Sequence, residues 1–235
     1  MVTACEPRLG LVTPFGNERD GIESFLSGVL EHLTELDRWY CVFDNVSKDG
    51  TRAVLEARSH QDERIVFVWA PQNRCVVDAY FSGYEAAYAA GCQWILEMDA
   101  GFSHPAERIP EFIAAMEEGY EFVGGSRFMP GGAHRSPWTR RCLSYGGTVL
   151  ARTVLGSRMS DMTSGFECFN RSAMKYVLEH RVRSRANFFQ TEIRHMMHRF
   201  HWKEIPIIYI NNRARVGRSA IRESFRILAQ LRLEK

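Results

Sequence analysis

Apolar residues recur along the first half of the chain in two alternating rhythms. Short runs suited to buried strands (Leu9 to Pro14, Trp39 to Phe43, Ile65 to Trp69 and Gln93 to Met98) are separated by stretches in which apolar residues return every three or four positions. Gly21 to Leu36 is such a stretch, with Ile22, Phe25, Leu26, Val29, Leu30 and Leu33 along one helical stripe. Val76 to Ala90 and Pro110 to Glu118 are predicted as further helices, and Phe122-Val123, ahead of Gly124-Gly125, as a short strand. This rhythm predicts an α/β fold with a mostly parallel central sheet and helices on both faces.

The second half is less regular. Met129 to Ser136 is rich in Pro and Gly and predicts a mobile loop. Arg140 to Leu155 predicts a helix, Gly165 to Phe169 a short strand and Ala186 to Phe200 a helix. Glu204 to Ile210 predicts a strand with Pro206 near its start, and a basic tail beyond Asn211-Asn212 predicts a helix from Ser219. No repeat or linker interrupts the chain, so the expectation is one domain, residues 1–212, followed by a basic amphipathic segment, 213–235.

Composition narrows the class. The 235 residues suffice for one substantial core, and 45% hydrophobic with 25% charged residues is an ordinary globular balance. A net charge of +2 argues against bulk nucleic-acid binding. The apolar runs fall short of the roughly 20 residues a membrane-spanning helix needs. The start, Met-Val-Thr-Ala-Cys-Glu-Pro, has neither a basic opening nor an apolar signal core, so the expectation is a soluble, cytoplasmic chain. Six scattered cysteines (Cys5, Cys41, Cys75, Cys92, Cys142 and Cys168) form no CxxC pair and read as reduced thiols. The tail sets seven basic residues, including Arg213, Arg215, Arg218 and Arg222, against Glu223 and Glu234, with Ile221, Phe225 and Leu228 at helical spacing. Such a helix suits either docking on its own domain or lying on an anionic membrane surface, peripherally or beside a membrane partner protein.

Candidate chemistry centres on Asp99. The apolar run Trp94 to Met98 ends in that aspartate, followed by Ala100, Gly101 and a His104-Pro105 stop. In an open α/β sheet, ligands bind where strand carboxyl ends meet loops, and a carboxylate there suits Mg²⁺ or Mn²⁺ against a diphosphate. Asp44, after the second strand, reaches the same edge and suits either a base or ribose contact or a turn. Asp49-Gly50-Thr51 reads as the cap of the next helix. His195 and His198 sit one helical turn apart without a third ligand type, which argues for a structural role, and His104 reads as a turn-shaping residue.

Taken in order, the motifs resemble family-2 glycosyltransferases of the GT-A fold, and within them the dolichol-phosphate mannose synthase and polyprenyl-phosphate sugar transferase group. Pro14 with Asn17-Glu18-Arg19 resembles the PxxNER signature, and Asp44 through Thr51 the acidic DDGSxDGT turn. Met98-Asp99-Ala100 with Ser103-His104-Pro105 resembles MDADxSHP, and Gly125-Ser126-Arg127-Phe128 with Pro130-Gly131-Gly132 resembles GSRYxxGG. Arg140-Arg141 with Ser144, Ala151-Arg152, Asp161 through Phe166, and Phe189-Gln190-Thr191-Glu192 resemble the remaining RRxxS, AR, DxTSGF and FQxE elements.

The resemblance implies inverting transfer of a sugar, foremost mannose from GDP-mannose, to a polyprenyl or dolichyl phosphate with Mg²⁺ or Mn²⁺. It implies Asp99, Arg127 and Gln190 as catalytic, with Asp99 and Gln190 on the cation. Pro14, Phe15, Asn17, Glu18, Asp44, Asp78, Asp99 and Ala100 would bind the nucleotide sugar. Arg127, Arg140, Arg141, Ser144, Ser164, Arg213 and Arg215 would bind the acceptor phosphate, and Glu192 would line the sugar or metal side. The chain departs from the pattern at Gly101, where the second acidic ligand is usual, and at Asn45-Val46, Phe15-Gly16 and Cys75 to Tyr80. Asp78, in the last stretch, suits a donor contact or a helix cap. These donor-side changes leave two alternatives, a UDP-sugar enzyme of surface-polysaccharide synthesis and a catalytically degenerate nucleotide- or lipid-phosphate-binding subunit.

Overall fold

The computed structural model describes residues 6–210 and 217–234. Seven strands form one sheet: β1 (Leu9–Phe15), β2 (Asp37–Phe43), β3 (Ile65–Trp69), β4 (Trp94–Glu97), β5 (Phe122–Ser126), β7 (Glu167–Asn170) and β8 (Trp202–Pro206), in the order β3-β2-β1-β4-β7-β5-β8. Pairing is parallel throughout except around β7, which runs antiparallel to both β4 and β5. The helices are α1 (Ile22–Leu30), α2 (Thr51–Ser59), α3 (Val76–Ala89), α4 (Ile109–Glu117), α5 (Trp138–Leu155), α6 (Arg171–His180), α7 (Phe189–Met196) and α8 (Arg218–Leu233).

Strand alternation divides the core between the two faces, since successive side chains point to opposite sides of a sheet. On one face Leu11, Trp39, Cys41, Phe43 and Leu96 pack with Phe25 of α1, Leu55 of α2 and Phe112 of α4. On the other, Val12, Tyr40, Val42, Ile95 and Phe122 pack with Tyr80 and Tyr84 of α3, Leu155 of α5, Met174 of α6 and Ile193 of α7. The inner strands β1, β2, β4 and β5 are therefore buried on both sides, which is why β1, β2 and β4 read as continuous apolar runs rather than alternating ones, whereas the edge strands β3 and β8 are mostly half-buried.

Several expected elements are corrected. α1 ends at Leu30, well before Leu36, because Asp37 turns inward and takes the Thr34 N–H at 2.8 Å and an ion pair from Arg8 at 2.9 Å. Met129 to Ser136 is a pinned segment: Ala133–Arg135 forms β6, parallel to β9 (Ile208–Ile210) in a second, two-stranded sheet. The expected strand Glu204 to Ile210 is accordingly two strands in two sheets. Pro206 ends the first, and the Ile207 N–H reaches the Ser126 carbonyl at 2.9 Å as the chain crosses over. α6 was not anticipated; Asn170 caps it by accepting the Ala173 N–H at 2.8 Å. α8 packs on α5 and buries Ile227 and Leu228, while Phe225 and Leu233 stay exposed. No helix among the described residues is long and apolar enough to cross a membrane. Cys5, Arg213, Arg215 and Lys235 lie outside the described residues.

Candidate active site

A cavity of about 520 Å³ lies beyond the carboxyl end of β4, lined by residues of α3, α5, α7 and α8. It brings together six of the expected residues: Asp99, Arg127, Arg140, Ser144, Ser164 and Gln190. Asp99 follows β4 by two residues, and its side chain is 42% exposed. Tyr80 of α3 donates its hydroxyl to Asp99 Oδ1 at 2.6 Å, and the Asp99 N–H donates to His104 Nδ1 at 3.1 Å. His104 is buried and its ring stacks on Phe166, so it shapes the turn, and burial pushes its pKa down, which keeps the ring neutral. Tyr80, fully buried, is pushed well up by burial and by Asp99, and remains the donor.

Gln190 forms the floor. Its Nε2 donates to Glu97 Oε1 at 2.6 Å, and the side chain is 6% exposed with Oε1 lacking a partner. Gly165 makes room for this amide: a Cβ there would lie 2.5 Å from Gln190 Nε2. Burial first, and then the charge of Glu167, push the Glu97 carboxyl well up. Ser164 Oγ is likewise buried and without a partner. Two unpartnered buried oxygens facing one cavity mark a site built for a polar ligand, because such atoms cost free energy when left unpaired.

Arg127 lines the cavity but is already paired. Its Nε and Nη2 donate to the two carboxylate oxygens of Asp161 at 2.7 and 2.8 Å, and Nη2 also reaches Thr163 Oγ1 at 2.6 Å. Ser144 Oγ lies 3.4 Å from His134 Nε2. Arg141 faces a different cavity, described below.

The remaining expected residues lie elsewhere. The Phe15 ring, expected on the nucleotide side, stacks on Phe43 at 5.5 Å and packs against Phe25 and Trp39 in the core. Pro14, Asn17, Glu18, Asp44 and Ala100 sit along the adjoining sheet edge, outside the cavity. There the loops after β1 and β2 are laced together, with the Lys48 N–H on Asn17 Oδ1 at 2.9 Å, the Glu18 N–H on Thr51 Oγ1 at 3.0 Å and the Arg19 N–H on Asp49 Oδ2 at 2.8 Å. Asp44 Oδ1 closes its own turn on the Val46 N–H at 2.8 Å. Asp78 holds the start of α3, accepting the Arg74 N–H at 2.9 Å and Arg185 at 2.8 Å. Glu192 is buried away from the cavity, accepting the Arg183 and Ser184 N–H groups at 3.0 and 2.8 Å.

Gly101 adopts φ +83°, a left-handed conformation that favours glycine, and the atom nearest to a Cβ placed there is Glu18 Oε2, at 3.6 Å. No group of three metal-ligating His, Cys, Asp or Glu side chains occurs among the described residues. The oxygens available to a hard cation in the cavity are therefore the Asp99 carboxylate and the unpartnered Gln190 Oε1. That set suits Mg²⁺ or Mn²⁺ with water and a diphosphate filling the remaining positions.

Tyr80 and Glu97 were missed in the sequence. Tyr80 lies on α3, one turn into the departure from the family pattern. Glu97 was hidden by its place inside an apolar strand, where a lone acid is itself a signal.

Comparison with known proteins places this geometry. The chain is 28% identical over 221 residues to a polyprenol monophosphomannose synthase of Mycolicibacterium smegmatis, covering 91% of this chain and 83% of that protein. It is 25% identical over 206 residues to an undecaprenyl-phosphate mannosyltransferase of Micrococcus luteus, covering 86% and 84%. Among solved structures, the fold matches glucosyl-3-phosphoglycerate synthase from Mycobacterium tuberculosis in complex with Mn²⁺, UDP and its product, with a TM-score of 0.68 at 16% identity over 97% of this chain and 79% of that one. The model of glycosyl transferase family 2 matches residues 11–178, and the chain belongs to that family.

Proposed function

We propose that this glycosyltransferase moves mannose from GDP-mannose to a polyprenyl or dolichyl phosphate with inversion at the anomeric carbon. The observation that carries the reading is the single cavity in which Asp99 and Gln190 meet Arg140, Ser144 and Ser164, and whose walls continue along Leu143, Leu150, Ile221 and Phe225. A polar floor with an apolar exit fits a phosphate on a hydrocarbon tail. The names of the two mannosyltransferase relatives support the same acceptor class and the mannosyl donor.

In this reading an acceptor phosphate oxygen attacks the anomeric carbon. The bond from that carbon to the donor diphosphate breaks, and the nucleoside diphosphate leaves with the electron pair. The acceptor phosphate is ionised near neutral pH, so no general base is needed. Arg140 and Ser144, from one face of α5, hold the acceptor phosphate with Ser164, and Arg127 shapes that wall. Arg213 and Arg215 are proposed to add positive charge. Pro14, Asn17, Glu18, Asp44 and Ala100 line the nucleoside side. Asp99 and Gln190 Oε1 would hold a divalent cation, which when bound supplies charge stabilisation at the departing diphosphate. Tyr80 fixes the Asp99 carboxylate, and Glu97 fixes the Gln190 amide. We place the protein peripherally on the cytoplasmic membrane face, supported by Phe225 and the exposed arginines of α8.

The test is thermal unfolding with GDP-, UDP- and dTDP-sugars, each with and without Mn²⁺, since a ligand of the folded state raises the midpoint. A Mn²⁺-dependent rise with GDP-mannose alone is expected, followed by transfer to a prenyl phosphate. A rise with a UDP-sugar instead would replace the donor. Asp99→Ala is expected to abolish transfer without unfolding the protein, and full activity in that variant would remove Asp99 from the mechanism.

A further inference from the structure

Two adjacent arginines near the start of α5 line different cavities. Arg140 lines the Asp99 cavity, whereas Arg141 lines a neighbouring one of about 630 Å³ together with Arg135, His134, Trp138 and Tyr145. No acidic residue is among the described residues lining this second cavity, and neither Arg135 nor Arg141 has a carboxylate partner among them. His134 is 8% exposed and its Nδ1 has no hydrogen-bond partner. Burial, then the charge of Arg127, with Arg140 and Arg141 beyond it, push this imidazole down to about 4, so it is neutral near pH 7. In the neutral ring, the tautomer whose Nε2 accepts the Ser144 hydroxyl carries its proton on Nδ1, where it can donate to a ligand oxygen. Two uncompensated guanidinium forks beside it match the oxygens of a phosphate.

The rim adds a second requirement. Trp138 is 72% exposed and Tyr145 57%, and Leu143 and Val149 of the same helix are also exposed. α5 carries arginines and no acidic residue along its whole length. Outward aromatic and aliphatic side chains among arginines are the composition that settles at a membrane–water interface. A free phosphate would leave those apolar side chains in water, whereas a phosphate attached to acyl chains covers them.

We infer that this second cavity is a docking site for the phosphate headgroup of an anionic membrane lipid other than the acceptor. Arg135, Arg141 and His134 hold the headgroup, and Trp138 and Tyr145 lie in the interfacial layer. The site extends the membrane placement proposed above and gives it an orientation, since α5 lines both this cavity and the Asp99 cavity. Its test contains neither sugar donor nor acceptor, so its failure leaves the transferase reading standing.

The experiment is co-sedimentation of the full chain with phosphatidylcholine vesicles, with and without about a third of phosphatidylglycerol. Binding to the anionic vesicles alone is expected. Loss of one basic contact near the lipid corresponds to about a fivefold weaker partition, so Arg135→Ser should lower binding by about that factor, and Trp138→Ser, which removes the interfacial aromatic, should lower it as well. Arg158→Ser, an exposed arginine outside the cavity, should lower it less than about twofold. Millimolar inorganic phosphate at constant ionic strength should not displace the protein. Equal binding to neutral vesicles, no binding to either, equal losses from Arg135→Ser and Arg158→Ser, or displacement by phosphate would each overturn the inference, the last by identifying a free-anion site.

Discussion

Asp161→Asn isolates the interaction that sets the charge of the cavity wall. The native carboxylate is fully buried and receives Arg127 Nε at 2.7 Å, Arg127 Nη2 at 2.8 Å, the Arg127 N–H at 3.1 Å and the Thr163 N–H at 3.0 Å. Asparagine keeps the shape, removes the charge and turns one accepting oxygen into a donor facing a guanidinium. Breaking a buried pair from one side costs about 3–5 kcal/mol, and the retained amide oxygen argues for the lower end, about 3. A domain stable by about 5–15 kcal/mol still folds, with a melting midpoint lower by roughly 6–12 °C for a chain of this size. Urea unfolding reads the same loss as a lower midpoint at unchanged slope. Combining the change with Arg127→Met should cost less than the sum of the single changes by about 2 kcal/mol. Burial alone would raise the Asp161 carboxyl, but the Arg127 charge and hydrogen bonds more than offset it and hold it well below the usual range. The stabilisation is therefore complete above the ordinary carboxylate range and disappears only as pH falls through the depressed folded value, so the deficit of the variant should stay constant from neutral pH into mild acid. A loss under about 1 kcal/mol, or strict additivity with Arg127→Met, would refute the assignment of Arg127 as a neutralised wall residue.

His134 supplies the opposite case: its folded ring titrates near 4 against an ordinary 6.5, so the unfolded chain takes up a proton first and stability falls as pH drops through that window. Relaxation and screening on protonation reduce the effect to about 2 kcal/mol, and His134→Gln should show that much less acid sensitivity by thermal unfolding. Gly101→Asp is expected to lower stability by about 1 kcal/mol through its left-handed backbone while tightening Mn²⁺ binding in a calorimetric titration. Unchanged Mn²⁺ affinity would show that residue 101 does not face the cation.

The apolar pattern was sufficient to place the main-sheet strands, β8 only as part of a longer run, and the helices α1, α3, α4, α5, α7 and α8, because inner strands buried on both faces leave little ambiguity between core and surface. It failed where a local signal competed with a tertiary one. The Gly- and Pro-rich segment after Met129 has loop composition, yet the backbone of Ile208–Ile210 pairs with it as β6. Pro206 was visible, but its consequence, a strand that changes sheets, depends on the Ser126 carbonyl far away in sequence. In the site, Asp99 and Gln190 were legible because their motifs are dense. The inward packing of Phe15 and Glu192 was not legible, since a motif position does not say on which side of a strand or helix the side chain emerges.

The pairing of Arg127 with Asp161 changes the charge balance that any two-anion reaction here must satisfy. Among the described residues lining the cavity, Asp99 and Arg140 cancel, and the positive charge of Arg127 is cancelled from behind. A donor diphosphate and an acceptor phosphate together bring about three to four negative charges. The side chains in view cannot hold both at once, because like charges at this separation repel strongly in a partly buried site. In the function proposed above, the balance comes from a cation held by Asp99 and Gln190 and from the charges of Arg213 and Arg215. On that proposal transfer depends jointly on the divalent ion and on those arginines, while binding of either substrate alone depends on only one of them. Arg213→Ala with Arg215→Ala should therefore depress transfer far more than it weakens GDP-mannose binding, and equal losses in both would place these arginines on the donor instead.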